Sequence, residues 1–114
     1  MQLKELQKIV EKTVDANLVH PFNGGKMKLK IEYHVYKDRK NNKIVAMVFE
    51  KDGCLLINLK LTPEHVDEMV QVSGVERGYH MNKKHWITVD VNQTDVTKSE
   101  LIKMLQESAA IIAG

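Results

Sequence analysis

The first stretch of the chain carries apolar residues at helical spacing. Residues 3–18 repeat an apolar side chain every three or four positions, and mostly charged or polar side chains fill the other positions. This period predicts an amphipathic helix with one face on a core. The helix should end before Pro21, because proline disfavours helical backbone in the preceding residue, and Gly24 and Gly25 favour a turn. The apolar positions are Leu3, Leu6, Ile9, Val10, Val14 and Leu18.

Three later segments have the pattern of β-strands. Residues 31–36 alternate apolar and polar side chains, which suits a strand with one face on a core. Residues 44–49 are apolar on both faces, as in a central strand, and residues 54–61 alternate again. The polar residues 38–42 and the turn at residues 51–53 separate these segments. We therefore predict three antiparallel strands in a meander.

The C-terminal half predicts two helices and one further strand. Thr62 and Pro63 are typical of a helix start, and this helix should run to about Val72. Residues 86–91 alternate as a strand does. Thr97 and Glu100 then have the spacing of a capping box, which begins the last helix. Its predicted buried face is Leu101, Met104, Leu105, Ser108 and Ile112. The predicted order is αβββαβα, an α+β fold with an antiparallel sheet.

Length and composition fit one globular domain. The chain has 114 residues, of which 43% are hydrophobic and 28% charged, and a domain of this size buries roughly two thirds of its unfolded surface. Its longest apolar run is too short to cross a membrane, and its N-terminus lacks the apolar stretch of a signal peptide. The expected location is the cytoplasm, without membrane contact. Cys54 is the one cysteine, and its apolar neighbours predict a packing role.

Basic residues are concentrated in one segment. The net charge of the whole chain is only +2, yet residues 26–43 contain seven basic residues against two acidic ones, a local net charge of +5. Such a segment is a candidate surface for an anionic partner. The seven are Lys26, Lys28, Lys30, Lys37, Arg39, Lys40 and Lys43.

Motifs for catalysis, nucleotide hydrolysis and metal binding are missing from the sequence. It contains neither a nucleophile elbow nor a phosphate-binding glycine loop, so we expect no enzyme activity and no cofactor. His80 and His85 have a spacing usable by metals, but no further ligand motif accompanies them, and we expect no metal site there. Glu64, Asp67 and Glu68 share one helical face. This pattern suits either a weakly bound divalent cation held by carboxylate oxygens or a solvated acidic face that complements the helix N-terminus.

Residues 78–86 are the segment with the most candidate chemistry. They read Gly-Tyr-His-Met-Asn-Lys-Lys-His-Trp and include the only tryptophan of the chain. Lysines neutralise phosphates, and aromatic rings stack on bases, so this mixture suits a nucleic-acid surface. In the alternative interpretation, Tyr79 and Trp86 are core residues that pin the loop against the last helix, and Lys83 and Lys84 solvate its tip.

The same nine residues resemble the signature of the MmcQ/YjbR family. The match continues through Thr88 and Val89, while Lys43 and Ala46 fit the family's earlier strand and Ser108 fits its final helix. The resemblance covers roughly residues 30–108. It implies a frataxin-like or secretion-chaperone-like sandwich, in which helices cover one face of an antiparallel sheet. We thus expect one YjbR-like domain over residues 1–114, with the N-terminal helix and linker at residues 1–25 and the core at residues 26–114.

The resemblance further implies DNA binding by two basic wings. One wing is the hairpin and the other is the loop before residue 86. The implied nucleic-acid-binding residues are Lys37, Arg39, Lys40, Lys43, His80, Asn82, Lys83, Lys84 and Trp86. Binding would be weak and dominated by charge, because no recognition helix is evident. The alternative is a protein or peptide adaptor that uses an open sheet face or the acidic residues Glu64, Asp67 and Glu68. The oligomeric state is not predicted by any of these features.

Overall fold

The structure is a computed structural model that describes residues 1–20 and 31–114. Part of the predicted linker, Pro21 to Gly25, lies outside the described residues. So do Lys26, Lys28 and Lys30 of the basic segment. In the part of the chain that is described, no helix is long and apolar enough to cross a membrane.

Three helices and six strands within residues 1–20 and 31–114 make up an α+β sandwich. All strand pairs are antiparallel, and the spatial order of the sheet is β1-β2-β3-β4-β6-β5. The predicted fold class is confirmed, and two strands join those predicted from the sequence. The elements are α1 (Leu3–Thr13), β1 (Ala16–Val19), β2 (His34–Asp38), β3 (Ile44–Lys51), β4 (Cys54–Lys60), α2 (Pro63–Met69), β5 (Val75–Arg77), β6 (Trp86–Asp90) and α3 (Lys98–Ala113).

The main core lies between the helices and one face of the sheet. Leu6 and Val10 of α1 pack there with the predicted buried face of α3. From the sheet, β4 contributes its alternating residues Leu55, Ile57 and Leu59. The capping box that begins α3 is present, with Thr97 and Glu100 each accepting a backbone N–H at 3.1 Å. The helical periodicity of the C-terminal segment therefore identified its buried residues correctly.

The opposite face of the sheet carries a second, smaller apolar cluster. Tyr33, Val35, Met47 and Phe49 are its buried members. Tyr79 and Met81, from the loop before β6, pack against them. Consequently β2 and β3 are buried on both faces, as predicted for residues 44–49 but not for residues 31–36. In β2 the side chain that joins the helix-side core is Tyr36, which is 1% exposed.

The prediction of one helix over residues 3–18 is wrong at its C-terminal end. The helix ends at Thr13, and Val14 already has extended backbone. Residues 16–19 instead form β1, an edge strand that pairs with β2. Leu18, which the helical pattern placed in the core, is 39% exposed. An apolar residue at position 18 fits both the helical period and the strand period, and pairing with β2 selects the strand.

Candidate nucleic-acid interface

Both predicted wings lie at the same end of the sheet. The chain reaches this end at the close of β2 and leaves it at the start of β3, so the hairpin loop at residues 39–43 lies there. β4 ends there at Lys60, and β6 starts there at Trp86, opposite Lys60. Since adjacent strands are about 4.8 Å apart, β3 and β6 are separated by about 10 Å, with β4 between them. Two basic segments that are far apart in sequence thus become neighbours.

The hairpin loop has a defined shape because Asp38 holds it. The Asp38 carboxylate accepts the backbone N–H groups of Lys40 at 2.8 Å and Asn41 at 3.2 Å. Asn42 adopts a left-handed backbone, with φ of 63°, which asparagine tolerates better than most residues. The side-chain amide of Asn41 donates to the carbonyl of Ile112 in α3 at 2.8 Å. The loop is therefore attached to the helical layer as well as to the sheet.

The cations of this hairpin differ in their freedom to meet a ligand. Lys40 and Lys43 are exposed, and Lys37 is half-buried. Arg39 makes an ion pair with Asp15, but both side chains are more than half exposed, so the pair is weak and a phosphate can compete for the guanidinium. A phosphate can therefore reach Lys40 and Lys43 directly, whereas it reaches Arg39 by displacing Asp15.

The second loop is shaped by Gly78 and Asn82. The Gly78 N–H donates to the carbonyl of Trp86 at 2.8 Å. A Cβ at position 78 would lie 2.6 Å from the Cβ of Trp86, so only glycine fits without displacement. The Asn82 side-chain oxygen accepts the N–H of Lys84 at 2.9 Å. Asn82 thus organises the turn, and its Oδ1 is already engaged within it.

His80, Lys83 and Lys84 are exposed in this loop. The Lys83 ammonium donates to the Gly78 carbonyl at 2.8 Å, which holds this lysine against its own loop. The ring of His80 lies 4.1 Å from that of Tyr79, centroid to centroid. The His80 ring also lies 6.4 Å from the ring of Tyr33, centroid to centroid, so it is on the sheet face away from the helices. Lys84 is exposed close to the start of β6.

Trp86 lies differently from what the nucleic-acid interpretation requires. It is 7% exposed, so its indole offers no open face for a base. Its Cβ fills the space next to Gly78. The alternative interpretation is right that Trp86 is buried. It is wrong that the loop is pinned against the last helix, because Tyr79 packs in the cluster on the face away from the helices.

A buried polar network fixes the second loop to the centre of the sheet. The Thr88 hydroxyl donates to the side-chain oxygen of Asn58 at 2.6 Å and accepts the N–H of Tyr79 at 2.8 Å. The Asn58 amide donates to the Tyr79 carbonyl at 2.9 Å. Asn58 is fully buried. Sequence reasoning missed this residue, although a single asparagine between Ile57 and Leu59 is a usable signal for a buried network.

Lys60 is a second residue that sequence reasoning missed. As the last residue of β4 it lies between the two loops, and the alternation of the strand places its side chain on the face away from the helices. In the strand order, Lys60 thus lies between the strands that carry the two basic loops. The sequence placed Lys60 near the end of a predicted strand, and this position could have indicated that it lies close to the loops.

Acidic residues at this end lie on the helical side. α2 starts directly after β4 and exposes Glu64, Asp67 and Glu68. Asp67 makes an ion pair with Arg77 at 2.9 Å. The predicted acidic residues are therefore exposed, on the helical side of this end.

An open cleft of about 350 Å³ lies on the sheet face away from the helices. The Lys51 ammonium lies 4.5 Å from the centre of the Tyr79 ring. Asp90, which also lines the cleft, has one buried carboxylate oxygen without a hydrogen-bond partner. A hydrogen bond to Asp90, together with burial, raises the pKa of the Cys54 thiol. Cys54 is half-buried at this cleft, which corrects the expectation of simple core packing, and its raised pKa disfavours the reactive thiolate.

The protein is thus a small α+β sandwich with two basic loops at one end of its sheet. The family model for YjbR matches residues 16–108, and the chain belongs to this family. The family predicted from residues 78–86 is thereby confirmed.

Curated relatives match about half of the chain. The uncharacterized protein YyaQ of Bacillus subtilis is 34% identical over 53 residues, which are 46% of this chain and 44% of YyaQ. The uncharacterized protein YbdF of Escherichia coli O157:H7 is 40% identical over 60 residues, which are 51% of this chain and 47% of YbdF. The chain thus spans about half the length of the curated relatives it matches.

Solved structures share the whole fold. A crystal structure of a protein from Pseudomonas syringae superimposes with a TM-score of 0.80 and 25% identity, covering 98% of this chain and 99% of that one. The Deinococcus radiodurans protein DR2400, described by its DUF419 domain, gives a TM-score of 0.72 at 23% identity, covering 98% and 78% of the two chains. The second likeness concerns the fold alone.

Proposed function

We propose that this protein binds DNA without catalysing a reaction, through the two basic loops at one end of its sheet. The observation that carries the proposal is their convergence at one end of the sheet. The hairpin with Lys40 and Lys43 leads into β3, the loop with Lys83 and Lys84 leads into β6, and these strands lie about two strand spacings, roughly 10 Å, apart. This separation is similar to the roughly 12 Å width of the major groove, so both loops reach phosphates of one duplex segment.

The direction of approach follows from the charges. DNA meets the end of the sheet on the side away from the helices, because Lys60 lies on that side and the exposed carboxylates of α2 lie on the other. Phosphate contacts carry no sequence information. With Trp86 buried and α2 acidic, the interface supplies little base readout, and binding depends on charge.

A comparison of two triple variants tests the proposal. Lys40→Ala, Lys83→Ala and Lys84→Ala together remove three cations from the loops. Each lost phosphate contact lowers the slope of log affinity against log salt by about 0.9, so we expect a decrease of about 2 to 3. The measurement is fluorescence polarisation of a labelled generic duplex from low to physiological salt.

The matched control removes the same number of positive charges from α1. Lys4, Lys8 and Lys12 are exposed on α1, so Lys4→Ala, Lys8→Ala and Lys12→Ala together should leave the salt slope close to that of the unmodified protein. Equal losses in both triple variants would mean that only net charge matters, and the loop interface would be wrong.

A protein or peptide adaptor is the second candidate, supported by the exposed carboxylates of α2. Its sheet-face version has little support, because the apolar residues on the face away from the helices, such as Val35 and Phe49, are fully buried. Among the described residues, Met1 and Leu18 are the large hydrophobic residues that are exposed. The absence of DNA binding at low salt, together with salt-dependent binding of a basic peptide that Glu64→Gln and Glu68→Gln abolish, would favour the adaptor.

A further inference from the structure

Two histidines and a glutamate converge where β1 and β2 meet, at the end of the sheet opposite the basic loops. β1 and β2 pair from Ala16 with Asp38 to Val19 with Val35, and continuation of this register sets His20 opposite His34. Glu32 precedes His34 by two positions, which places both side chains on the same side of an extended chain. The strand pairing therefore brings the three side chains together.

The distances between their ligand atoms are those of a chelating group. His20 Nε2 lies 3.0 Å from His34 Nδ1 and 3.8 Å from Glu32 Oε1. One ligand atom from each residue lies within 4.8 Å of the other two. A zinc ion with bonds of about 2.0–2.1 Å to nitrogen requires neighbouring ligand atoms about 3.3 Å apart in a tetrahedron. The two histidine nitrogens thus need to separate by only a few tenths of an ångström, and Glu32 needs to approach by about half an ångström.

We propose that His20 Nε2, Glu32 and His34 Nδ1 bind a divalent transition-metal ion, with Zn²⁺ as the best fit. Imidazole nitrogen suits zinc and its neighbours in the first transition row, and one carboxylate oxygen completes a common donor set. Calcium and magnesium take oxygen ligands and do not match two imidazoles. Three protein ligands leave one tetrahedral position for water.

The surroundings of His34 support this assignment. His34 is 8% exposed, so packing fixes its ring and orients one ligand in advance. The side-chain amide nitrogen of Gln7, in α1, lies 3.3 Å from the same Nδ1 atom. A metal ion coordinates through the lone pair of His34 Nδ1, so metal binding replaces the contact with Gln7. The rings of His20 and His34 are nearly perpendicular, at 80°, so their nitrogens converge without stacking of the rings.

The metal links β1 to its neighbouring strand β2. Among the described residues, β1 is paired on one side only, with β2. A bond from His20 to a metal shared with His34 joins the two strands at the end where residues 20–33 connect them, and it stabilises their pairing against fraying. The site contains none of the lysine and arginine residues proposed to contact DNA. A failure of one proposal therefore does not affect the other.

Titration of the full chain with Zn²⁺ tests the site directly. We expect one equivalent to bind, measured by isothermal titration calorimetry and by competition with a chromophoric chelator, and to raise the Tm by several degrees. His20→Ala and Glu32→Gln each change an exposed residue, so these variants should fold, and their affinities should fall by tenfold or more. His34→Ala removes a buried ring, so its circular dichroism spectrum is compared with that of the unmodified protein.

A matched control and a second probe complete the test. The double variant His80→Ala, His85→Ala removes two histidines outside the cluster and should bind Zn²⁺ as the unmodified chain does. Co²⁺ should give the intense visible absorption of a four-coordinate ion, and His20→Ala should remove it. No stoichiometric binding, or binding that survives His20→Ala combined with Glu32→Gln, would overturn the proposal. So would loss of binding in the control.

Discussion

Asn58 is a polar residue in an otherwise apolar strand, and single residues of this kind position the candidate site. It is fully buried, and its two side-chain atoms connect β4 to Thr88 in β6 and to Tyr79 in the second basic loop. The residues that contact DNA in our proposal thus depend on others that never reach the surface. Charge identified the exposed residues, whereas the only sequence sign of their supports was a single asparagine in an apolar strand.

Replacement of Asn58 by alanine should destabilise the protein and loosen the loop. The change leaves the Thr88 hydroxyl and the Tyr79 carbonyl without their partner, and each buried unpaired group costs about 1–3 kcal/mol. We expect a loss of roughly 2–4 kcal/mol in urea unfolding, together with faster hydrogen exchange at the Tyr79 amide. Asn17→Ala, at an exposed asparagine in β1, should change stability by less than about 0.5 kcal/mol. Similar losses for the two variants would contradict this account of Asn58.

Gly78 is needed for steric reasons, and its replacement should move Trp86. A Cβ at position 78 would lie 2.6 Å from that of Trp86, so Gly78→Ala should cost about 1–3 kcal/mol and shift the emission of the only tryptophan. At Gly53, φ is +78°, and a Cβ added there would meet no heavy atom within 4 Å. Gly53→Ala should therefore cost about 1–2 kcal/mol from backbone strain and leave the emission unchanged. Equal emission spectra for all three proteins would contradict the steric argument.

At the scale of elements, α3 is attached to the sheet through Ser108. Its hydroxyl donates to the Val45 carbonyl at 2.6 Å and accepts the Lys60 N–H at 3.0 Å. The pairing of β3 with β4 stops at Ala46 and Leu59, so Ser108 bridges the next position, where the two strands separate. The sequence placed Ser108 on the buried face of α3 but gave no sign of this bridge.

Ser108→Ala should release this attachment. Two buried backbone groups lose their partner, for a cost of roughly 2–4 kcal/mol. The measurement is urea unfolding, with Ser99→Ala as the control because Ser99 is exposed on the same helix. A change of less than about 0.5 kcal/mol at Ser108 would mean that water replaces the hydroxyl and that the bridge is unimportant.

The sequence predicted most elements, and its failures have physical causes. Residues 54–61 and the last helix have one clear period each, and the structure has the predicted buried residues in both. Residues 14–19 satisfy both helical and strand periods, and only pairing with β2 selects the strand. β5 has three residues, which is too short for any period. The His20, Glu32 and His34 cluster depends on that same strand pairing, so it could not be predicted from a helical interpretation of residues 3–18.

At the scale of the whole molecule, different chemistry lies at the two ends of the sheet. The basic loops occupy the end where β2 and β4 finish, and the histidine–glutamate cluster occupies the end where β2 begins. The convergence of the two loops was implied by the family resemblance, but their spacing follows from the insertion of β4 between β3 and β6. The burial of Trp86 and the position of Lys60 were also set by this topology.

The most direct test of the central claim is an NMR titration of the ¹⁵N-labelled protein with a short generic duplex at low salt. We expect chemical-shift changes at Arg39–Lys43, at Lys60 and at residues 80–85, and their disappearance as salt is raised. We also expect little change along α2. Shift changes centred on Glu64–Glu68 or on α1, or no change at low salt, would contradict DNA binding by the two basic loops.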